Sequence, residues 1–559
     1  MIENKLTGYA SVDQPWLKYY TEEQRNAPKP ADMSIYQRIK ENIDEYKDLY
    51  AIRFEGNRIT YTEMLESIDK TADALTTIGV KENDIVVCYM PSLPHEVYML
   101  YACSKIGALI NFVKPMTSTE QVCAIINEFK APLFVTFEMP ENDRKYIIDN
   151  SCVKNIVNIS MCENCENGIH WNDFIRNATV KAEHTTKSND EGFFIAHTGG
   201  STGKSKAVLI SNNALNIQVS QIMNMYITLD YVKEDSWLRL WPLFSVSAAN
   251  SMCHLPFCLG MEVITLPFIN LEEIDDMILR EKPSHYSLVE SILDMLMNSK
   301  KLADADISFI KSIGIGGTKL DLEYEKNVND FFSRNGIKNP LGFGYGLSEN
   351  SSGVAAKNYW ETAVPGSVGI PQIGTVVGIF EIGTTNEKKY NEDGEVCVLS
   401  DTFMVGYYND KEATAKMFKK HPDGKMWLHT GDLGYMTEDG ILFVKGRLSR
   451  VIFTRLGYKF YPDEIENALM QIKGIKQVAI VPEEDKDYKG HVLPACCLVL
   501  EDNTNAEEVK KAVSEFILNQ YGDFAVPQSF YIMDSFPLTA IGKIDFAELE
   551  RKVQDERKG

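Results

Sequence analysis

The chain reads as an α/β protein built on an open, mostly parallel sheet, followed by a small β-barrel-like subdomain and a terminal α+β domain. Three observations predict this. Apolar runs of strand length alternate with helix-period segments over residues 50–152 and again beyond residue 207, the pattern of strands joined by crossover helices. From Gly366 the segments become short and glycine-punctuated. After residue 462 strands and helices continue to the end of the chain as a small separate unit.

Residues 1–50 form an entry segment, with 15–20 apolar enough to pack on a neighbour and 33–48 in helical spacing. A strand pair turns around Asn57 and Arg58, and the helix 62–78 sets Leu65, Ile68, Ala72, Leu75 and Ile78 on one face. Residues 84–90 are a buried strand, 94–106 a helix and 109–113 the next strand, and 131–152 repeat the alternation. The apolar run 193–196 is a strand, 207–210 another, and Ser211 caps a helix beginning at Asn213. The strand ending at Gly316 and Gly317 leads to a helix near Asp321. Segments 366–369, 378–381 and 394–398 supply strands of the barrel-like subdomain, and residues 427–432 end in a turn carrying Asp432. A joint spans 445–466: Gly446 and Arg447 close the larger body, and Pro462 opens a helix with acids beside its positive end. The boundary is placed between 1–447 and 448–559.

A length of 559 residues implies about two to four domains or subdomains. With 44% apolar and 24% charged residues, the composition is that of an ordinary soluble globular protein. A net charge of −22 argues against a nucleic-acid partner and against an anionic membrane surface. No apolar run reaches membrane-spanning length, since Lys105 interrupts 97–113. The N-terminus lacks a signal-peptide pattern, and eleven scattered cysteines suit a reducing compartment, so a cytoplasmic location is expected. Cys162, Cys165 and His170 fall short of the four ligands of a structural zinc and read as a solvent-facing loop.

The chemistry concentrates in a few loops. Residues 198–206 hold three glycines, four hydroxyl-bearing residues and two lysines between two strands. Glycines turn backbone N–H groups toward one point, hydroxyls add donors and lysines add charge, which suits a polyphosphate. A Walker A loop is excluded: Thr198 stands at its first glycine position, and the residues after Ser205 continue as a strand. The loop at Gly316 and Gly317 lies where open sheets bind ligands, and its glycines let a flat ring lie on the backbone. In the stretch 342–350, Tyr345 offers an aromatic face, Ser348 a donor and Glu349 a carboxylate for a hard divalent cation. Asp432 follows a glycine and suits ribose hydroxyls. Near the end, residues 537–543 present one lysine, Lys543.

Taken in order from about Asn57 to Leu549, these stretches resemble the adenylate-forming superfamily of acyl-CoA synthetases, aryl-CoA ligases, luciferases and peptide-synthetase adenylation domains. The resemblance implies a large N-terminal body of two α/β subdomains plus a small β-barrel subdomain, with a mobile C-terminal α+β domain. It implies ATP, Mg²⁺ and a thiol, either CoA or the phosphopantetheine of a carrier protein. Thr198, Gly199, Gly200, Ser201, Thr202, Gly203 and Lys206 would grip the β- and γ-phosphates. Gly316, Gly317, Thr318, Tyr345 and Gly346 would frame the adenine, Ser348 would touch the α-phosphate and Glu349 would bind Mg²⁺. Asp432 and Arg447 would hold the ribose. Lys543 would be the catalytic lysine, reaching the carboxylate and the α-phosphate when the small domain closes; Gly457, Tyr458 and Lys459 would line the thiol entry. Phe244 and Ser245 mark the acyl pocket.

Three positions depart from the family pattern: Ser205 replaces the loop proline, Arg450 replaces the hinge aspartate, and Ser245 replaces an aromatic or histidine gate. The leading reading is a monomeric or homodimeric ligase joining a small carboxylic acid to CoA, as a fatty or aromatic acyl-CoA synthetase. The alternative is an adenylation enzyme loading a separate carrier protein; a catalytically silent ATP-binding regulator is a third reading, against which Lys543, Glu349 and Asp432 count.

Overall fold

Two large sheets carry the N-terminal domain. The computed structural model describes residues 6–558 except 115–116, 163–164, 198–205, 226–230, 269, 271–272, 289, 304, 317–321, 340, 358–361, 451, 454–458, 461, 485–491, 523–524 and 540–542. The first sheet has eight strands, with Ile85–Tyr89 flanked by Leu109–Phe112 and Leu133–Phe137, all parallel. Gly192–His197 extends it in parallel, and Ala207–Ser211 then returns antiparallel. The second sheet has nine strands, and its parallel centre comprises Glu262–Thr265, Ser236–Arg239, His285–Leu288, Ser312–Gly316 and Gly342–Leu347. The strand–helix alternation therefore yields two mostly parallel sheets.

Helix Pro94–Ile106 joins the sheets. Eleven of its thirteen residues are buried, and one apolar cluster unites Val97, Leu100 and Cys103 with Val86 and Phe194 of the first sheet and Trp237 and Val263 of the second. A helix apolar on nearly every side belongs inside a protein, which accounts for the apolar run 97–103. It ends at Gly107, whose φ of +74° suits a helix terminus. The expected cap is present at the next functional helix, Asn212–Met225: the Ser211 hydroxyl accepts the Ala214 N–H at 3.1 Å.

The small antiparallel subdomain comprises Val376–Phe380, Gly394–Leu399, Met426–Met436 and Phe418–Lys420, with Leu442–Arg447 pairing the far half of the long strand. Among the described pairings it is a five-stranded antiparallel sheet, with register shifts in two of its pairings. Two expectations need correction. Residues 366–369 form no strand: a turn at 365–366 leads into irregular backbone, with Gly366 and Gly369 both at positive φ, 74° and 82°, and the strand that follows, Ile370–Pro371, joins the second large sheet. Asp432 lies within strand Met426–Met436, where Gly431 at φ +71° supplies a local kink instead of a turn.

The C-terminal domain packs helices Pro462–Leu469, Ala506–Tyr521 and Phe546–Lys558 on the three-stranded sheet Ile475–Glu484, Val492–Leu500 and Ser529–Ile532. Arg450 is gathered into this domain. Its guanidinium pairs with Asp463 and Glu466, donates to the Ile480 carbonyl at 3.1 Å, and lies 3.6 Å from the Phe546 ring centroid. At the joint, a Cβ on Gly446 would fall 2.1 Å from Asp463 Oδ2, so the close approach of the two domains requires glycine there. All eleven cysteines are free, and both ring nitrogens of His170 are engaged, by the Ser160 carbonyl and the Asn172 N–H. Among the described residues no helix is long and apolar enough to cross a membrane.

Candidate active site

On two neighbouring parallel strands, Gly314 faces Gly342 and Gly316, at the carboxyl end of its strand, faces Gly344. Paired glycines leave bare backbone where an open sheet receives its ligand. A Cβ added to Gly316 would meet nothing within 4 Å, so that side is open. Gly346 is glycine for another reason: its Cβ would lie 1.8 Å from the Ser352 carbonyl oxygen.

Tyr345 follows this glycine floor, and its hydroxyl donates to Asp432 Oδ2. The other carboxylate oxygen of Asp432 lies 3.0 Å from Arg447 Nε, and Arg447 Nη1 donates to the Thr430 carbonyl at 3.0 Å. Three stretches separated by up to a hundred residues thus meet at one carboxylate. Asp432 and Arg447 are facing partners on adjacent strands, so the pairing is set by register. Burial pushes the Asp432 carboxyl above its ordinary value, and Arg447 and the Tyr345 bond oppose this. Burial, and then the Asp432 charge, hold the Tyr345 phenol protonated by raising its pKa.

Behind Asp432 lies a buried brace that the sequence did not announce. Glu395 Oε1 accepts the Gly431 N–H at 3.2 Å, while Oε2 lies 2.8 Å from His429 Nδ1. His429 Nε2 in turn lies 2.9 Å from His421 Nε2. Alternation along Gly394–Leu399 was the available signal, since Glu395 and Cys397 share the face toward His429.

Ser348 and Glu349 occupy a 3₁₀ turn at the end of strand Gly342–Leu347. The Asn350 side chain, in the same turn, donates to the Gly353 carbonyl at 2.7 Å and accepts from the Thr402 hydroxyl at 3.1 Å, which holds the turn against the following loop. Glu349 Oε1 accepts the Tyr407 hydroxyl at 2.6 Å. Lys206 opens the return strand from the glycine-rich loop, and its ammonium sits 4.7 Å from the Tyr407 ring centroid. Thr198, Gly199, Gly200, Ser201, Thr202, Gly203, Gly317, Thr318, Gly457 and Tyr458 lie outside the described residues; Lys459 begins the short strand Lys459–Phe460.

The Thr539 N–H donates to the Lys543 carbonyl at 2.6 Å, and Leu538 bridges Ile544. Burial first, and the Arg447 guanidinium second, hold the Lys543 ammonium below the ordinary lysine value. The residue surface is itself exposed, so repulsion from Arg447 is the sturdier of the two causes. The Arg447 guanidinium thus acts on the terminal lysine across the domain joint.

The segment 241–245 leads into a short helix. Phe244 is buried in the large apolar cluster, and the Ser245 hydroxyl accepts the Ala248 N–H at 3.3 Å as the cap of Val246–Ala249. That helix passes into a π-helical turn, Asn250–His254, where Asn250 is fully buried and neither of its side-chain polar atoms has a partner among the described residues. Such turns recur at functional sites; nothing in the local composition announces one.

The profile of AMP-binding enzymes matches residues 39–408, and that of the AMP-binding enzyme C-terminal domain matches 464–543. The long-chain-fatty-acid–CoA ligase of Bacillus subtilis (strain 168) is 26% identical over 97% of this chain and 98% of that protein. The 4-coumarate–CoA ligase 2 of Nicotiana tabacum is 26% identical over 94% and 95%. In fold, the chain is similar to the anthranilate CoA ligase AuaEII in complex with anthranoyl-AMP, with a TM-score of 0.82 at 17% identity over 95% and 99% of the two chains. ATP-bound MatB from Rhodopseudomonas palustris gives 0.83 at 18% identity over 94% and 99%. With the first match spanning well over half of its length, and the second covering the small terminal domain, this chain belongs to the AMP-binding enzyme family.

Proposed function

We propose that the protein is an ATP-dependent acid–thiol ligase that activates a carboxylic acid as its acyl-adenylate and transfers the acyl group to CoA. One observation carries this reading: the Tyr345 hydroxyl, the Asp432 carboxylate and the Arg447 guanidinium, from three separate stretches, meet next to the paired glycines of the second sheet. The fatty-acid and coumarate ligases among its relatives support CoA as the acceptor.

In the first step a carboxylate oxygen of the acid bonds to the α-phosphorus of ATP, and the bond to the bridging oxygen breaks as pyrophosphate leaves with the electron pair. Both reactants are anions, so charge neutralisation dominates the barrier. Lys543 supplies an ammonium between them, Ser348 donates to the α-phosphate, and Lys206 with the loop 198–203 holds the β- and γ-phosphates. The ribose hydroxyls take the Asp432 carboxylate, displacing the Tyr345 hydroxyl, which then lies along the adenine over the glycine floor. The Glu349 carboxylate, a hard oxygen donor close to a phosphate-binding lysine, fits Mg²⁺; when bound, the ion would neutralise phosphate charge. In the second step the thiol sulfur bonds to the acyl carbon and AMP leaves. We place the thiol entry at residues 457–459 and the boundary of the mobile domain at 447/448. We assign the protein to the cytoplasm, as a monomer or homodimer.

Two measurements test this. Incubation with ATP, Mg²⁺ and a panel of fatty and aromatic acids is expected to yield thioester with free CoA; thioester formed only on a purified carrier protein would move the acceptor, and no pyrophosphate release with any acid would end the proposal. Replacing Asp432 by alanine removes the ribose acceptor and is expected to weaken AMP binding by about 10- to 100-fold, as loss of hydrogen bonds to a charged group does. Calorimetric titration of AMP checks it, and unchanged affinity would displace the ribose from this carboxylate.

A further inference from the structure

The buried brace behind Asp432 holds more ligand chemistry than a hydrogen-bonded support needs. Cys397 and His429 are direct partners across strands Gly394–Leu399 and Met426–Met436, and Glu395 stands two residues back on the same face. Two ligand atoms converge on His429 Nδ1: Cys397 Sγ at 3.5 Å and Glu395 Oε2 at 2.8 Å. One sulfur, one nitrogen and one oxygen thus lie within 4.8 Å of one another, and all three residues are buried. Among the described residues, the ion pairs of Glu395 include no lysine or arginine, only His429. A buried carboxylate is stable when a cation or a metal accompanies it.

Zinc bonded to sulfur at about 2.3 Å and to nitrogen at about 2.0 Å, with a tetrahedral angle between them, sets those two atoms about 3.5 Å apart. The Cys397–His429 separation already has that value. On the same geometry the Glu395 oxygen stands about 3.4 Å from the nitrogen, a retreat of about half an ångström from its present 2.8 Å. Its other oxygen stays anchored on the Gly431 N–H. The far ring nitrogen of His429 faces His421 Nε2 at 2.9 Å. A proton donated there by His429 Nε2 leaves the Nδ1 lone pair for a metal, with His421 as the outer partner that metal-bound imidazoles use. We propose that Glu395, Cys397 and His429 form a zinc site, with His421 fixing the His429 tautomer. On binding, Cys397 gives its thiol proton to solvent, the neutral imidazole coordinates through Nδ1 and the carboxylate through Oε2. Sulfur and nitrogen donors set this site apart from the Mg²⁺ position at Glu349, since a hard cation takes oxygen. It does not rest on the ligase reading.

The test uses the full chain with the more accessible thiols Cys152, Cys162 and Cys165 changed to serine, which removes surface scavenging of metal. After incubation with Zn²⁺ and dialysis, elemental analysis is expected to find about one zinc ion per chain. Co²⁺ in its place is expected to give the near-ultraviolet cobalt–thiolate band and the intense visible bands of a tetrahedral ion. Cys397→Ser should abolish the thiolate band, and His429→Gln should release the ion on dialysis. His421→Phe keeps a ring against Phe380 and Trp427, and should weaken zinc binding about 10- to 100-fold, the scale of losing an outer partner of a metal ligand. Circular dichroism checks that each variant folds. The parent protein decides by itself whether the site exists: no retained zinc, or a Co²⁺ spectrum without the thiolate band, would overturn the proposal whatever the variants do. Zinc held by Cys397→Ser and His429→Gln as tightly as by the parent would also overturn it, by placing the ion elsewhere. Zinc binding without thioester formation would sink the ligase reading and leave the metal site standing.

Discussion

Replacing Lys543 by alanine is expected to lower acyl-adenylate formation by about 10²- to 10³-fold, the scale of losing one preorganised charge at a transition state. AMP affinity is expected to stay near wild type, because Tyr345, Asp432 and Arg447 all belong to the large domain. Thioester formation from chemically prepared acyl-adenylate is likewise expected to persist, since no second anion then needs to be neutralised. The pH profile gives an independent reading. Only the ammonium form neutralises charge, and burial and Arg447 lower its pKa below the ordinary lysine value of 10.5. Wild-type adenylation should therefore fall as pH rises through that lowered value, earlier than an unperturbed lysine would allow. Lys543→Arg keeps its charge into more alkaline solution, so its residual activity should decline later. Full pyrophosphate exchange by Lys543→Ala would remove this residue from the reaction.

The parts of this site that could be read from sequence are those whose chemistry is local. Pro94 and the apolar run 97–103 specify a buried helix, and Ser211 specifies the cap of a second helix, Asn212–Met225, because each depends on neighbours within a turn. The glycine pair 316–317 marked a strand end for the same reason, and the structure describes Gly316 there. The residues that sequence reasoning passed over are those defined by register between distant strands. Tyr407 meets Glu349 only because residues 406–407 pair with 208–209, and Glu395 braces Gly431 across a bulged pairing. Asp432 was expected in a turn because glycine precedes it; Gly431 instead kinks a continuous strand, which a local pattern does not distinguish from a turn. Arg450 looked like a polar hinge substitute, yet its partners Asp463, Glu466 and Phe546 all belong to the terminal domain.

Glu96 is expected to matter most for stability. Its carboxylate lies 2.6 Å from Arg239 Nη1, both side chains are almost wholly buried at 1% and 0% exposure, and Oε1 also accepts the Leu243 N–H at 3.0 Å. Burial pushes the Glu96 carboxyl up and the guanidinium pulls it back. Glu96→Ala leaves a guanidinium that cannot give up its proton buried without its partner, at a cost of about 3–5 kcal/mol. Arg239→Met in the same background removes that orphan, so the double variant should recover much of the loss, and urea unfolding of the set measures the coupling. Additive losses would show that the pair is not the source of the effect. The double variant also separates stability from chemistry. Glu96 anchors the backbone of the segment that leads into Ser245 and the π turn at Asn250. A stable double variant that still binds AMP normally but loses discrimination among acids would assign that anchored segment to the acyl pocket. Unchanged acid preference would detach the pocket from it.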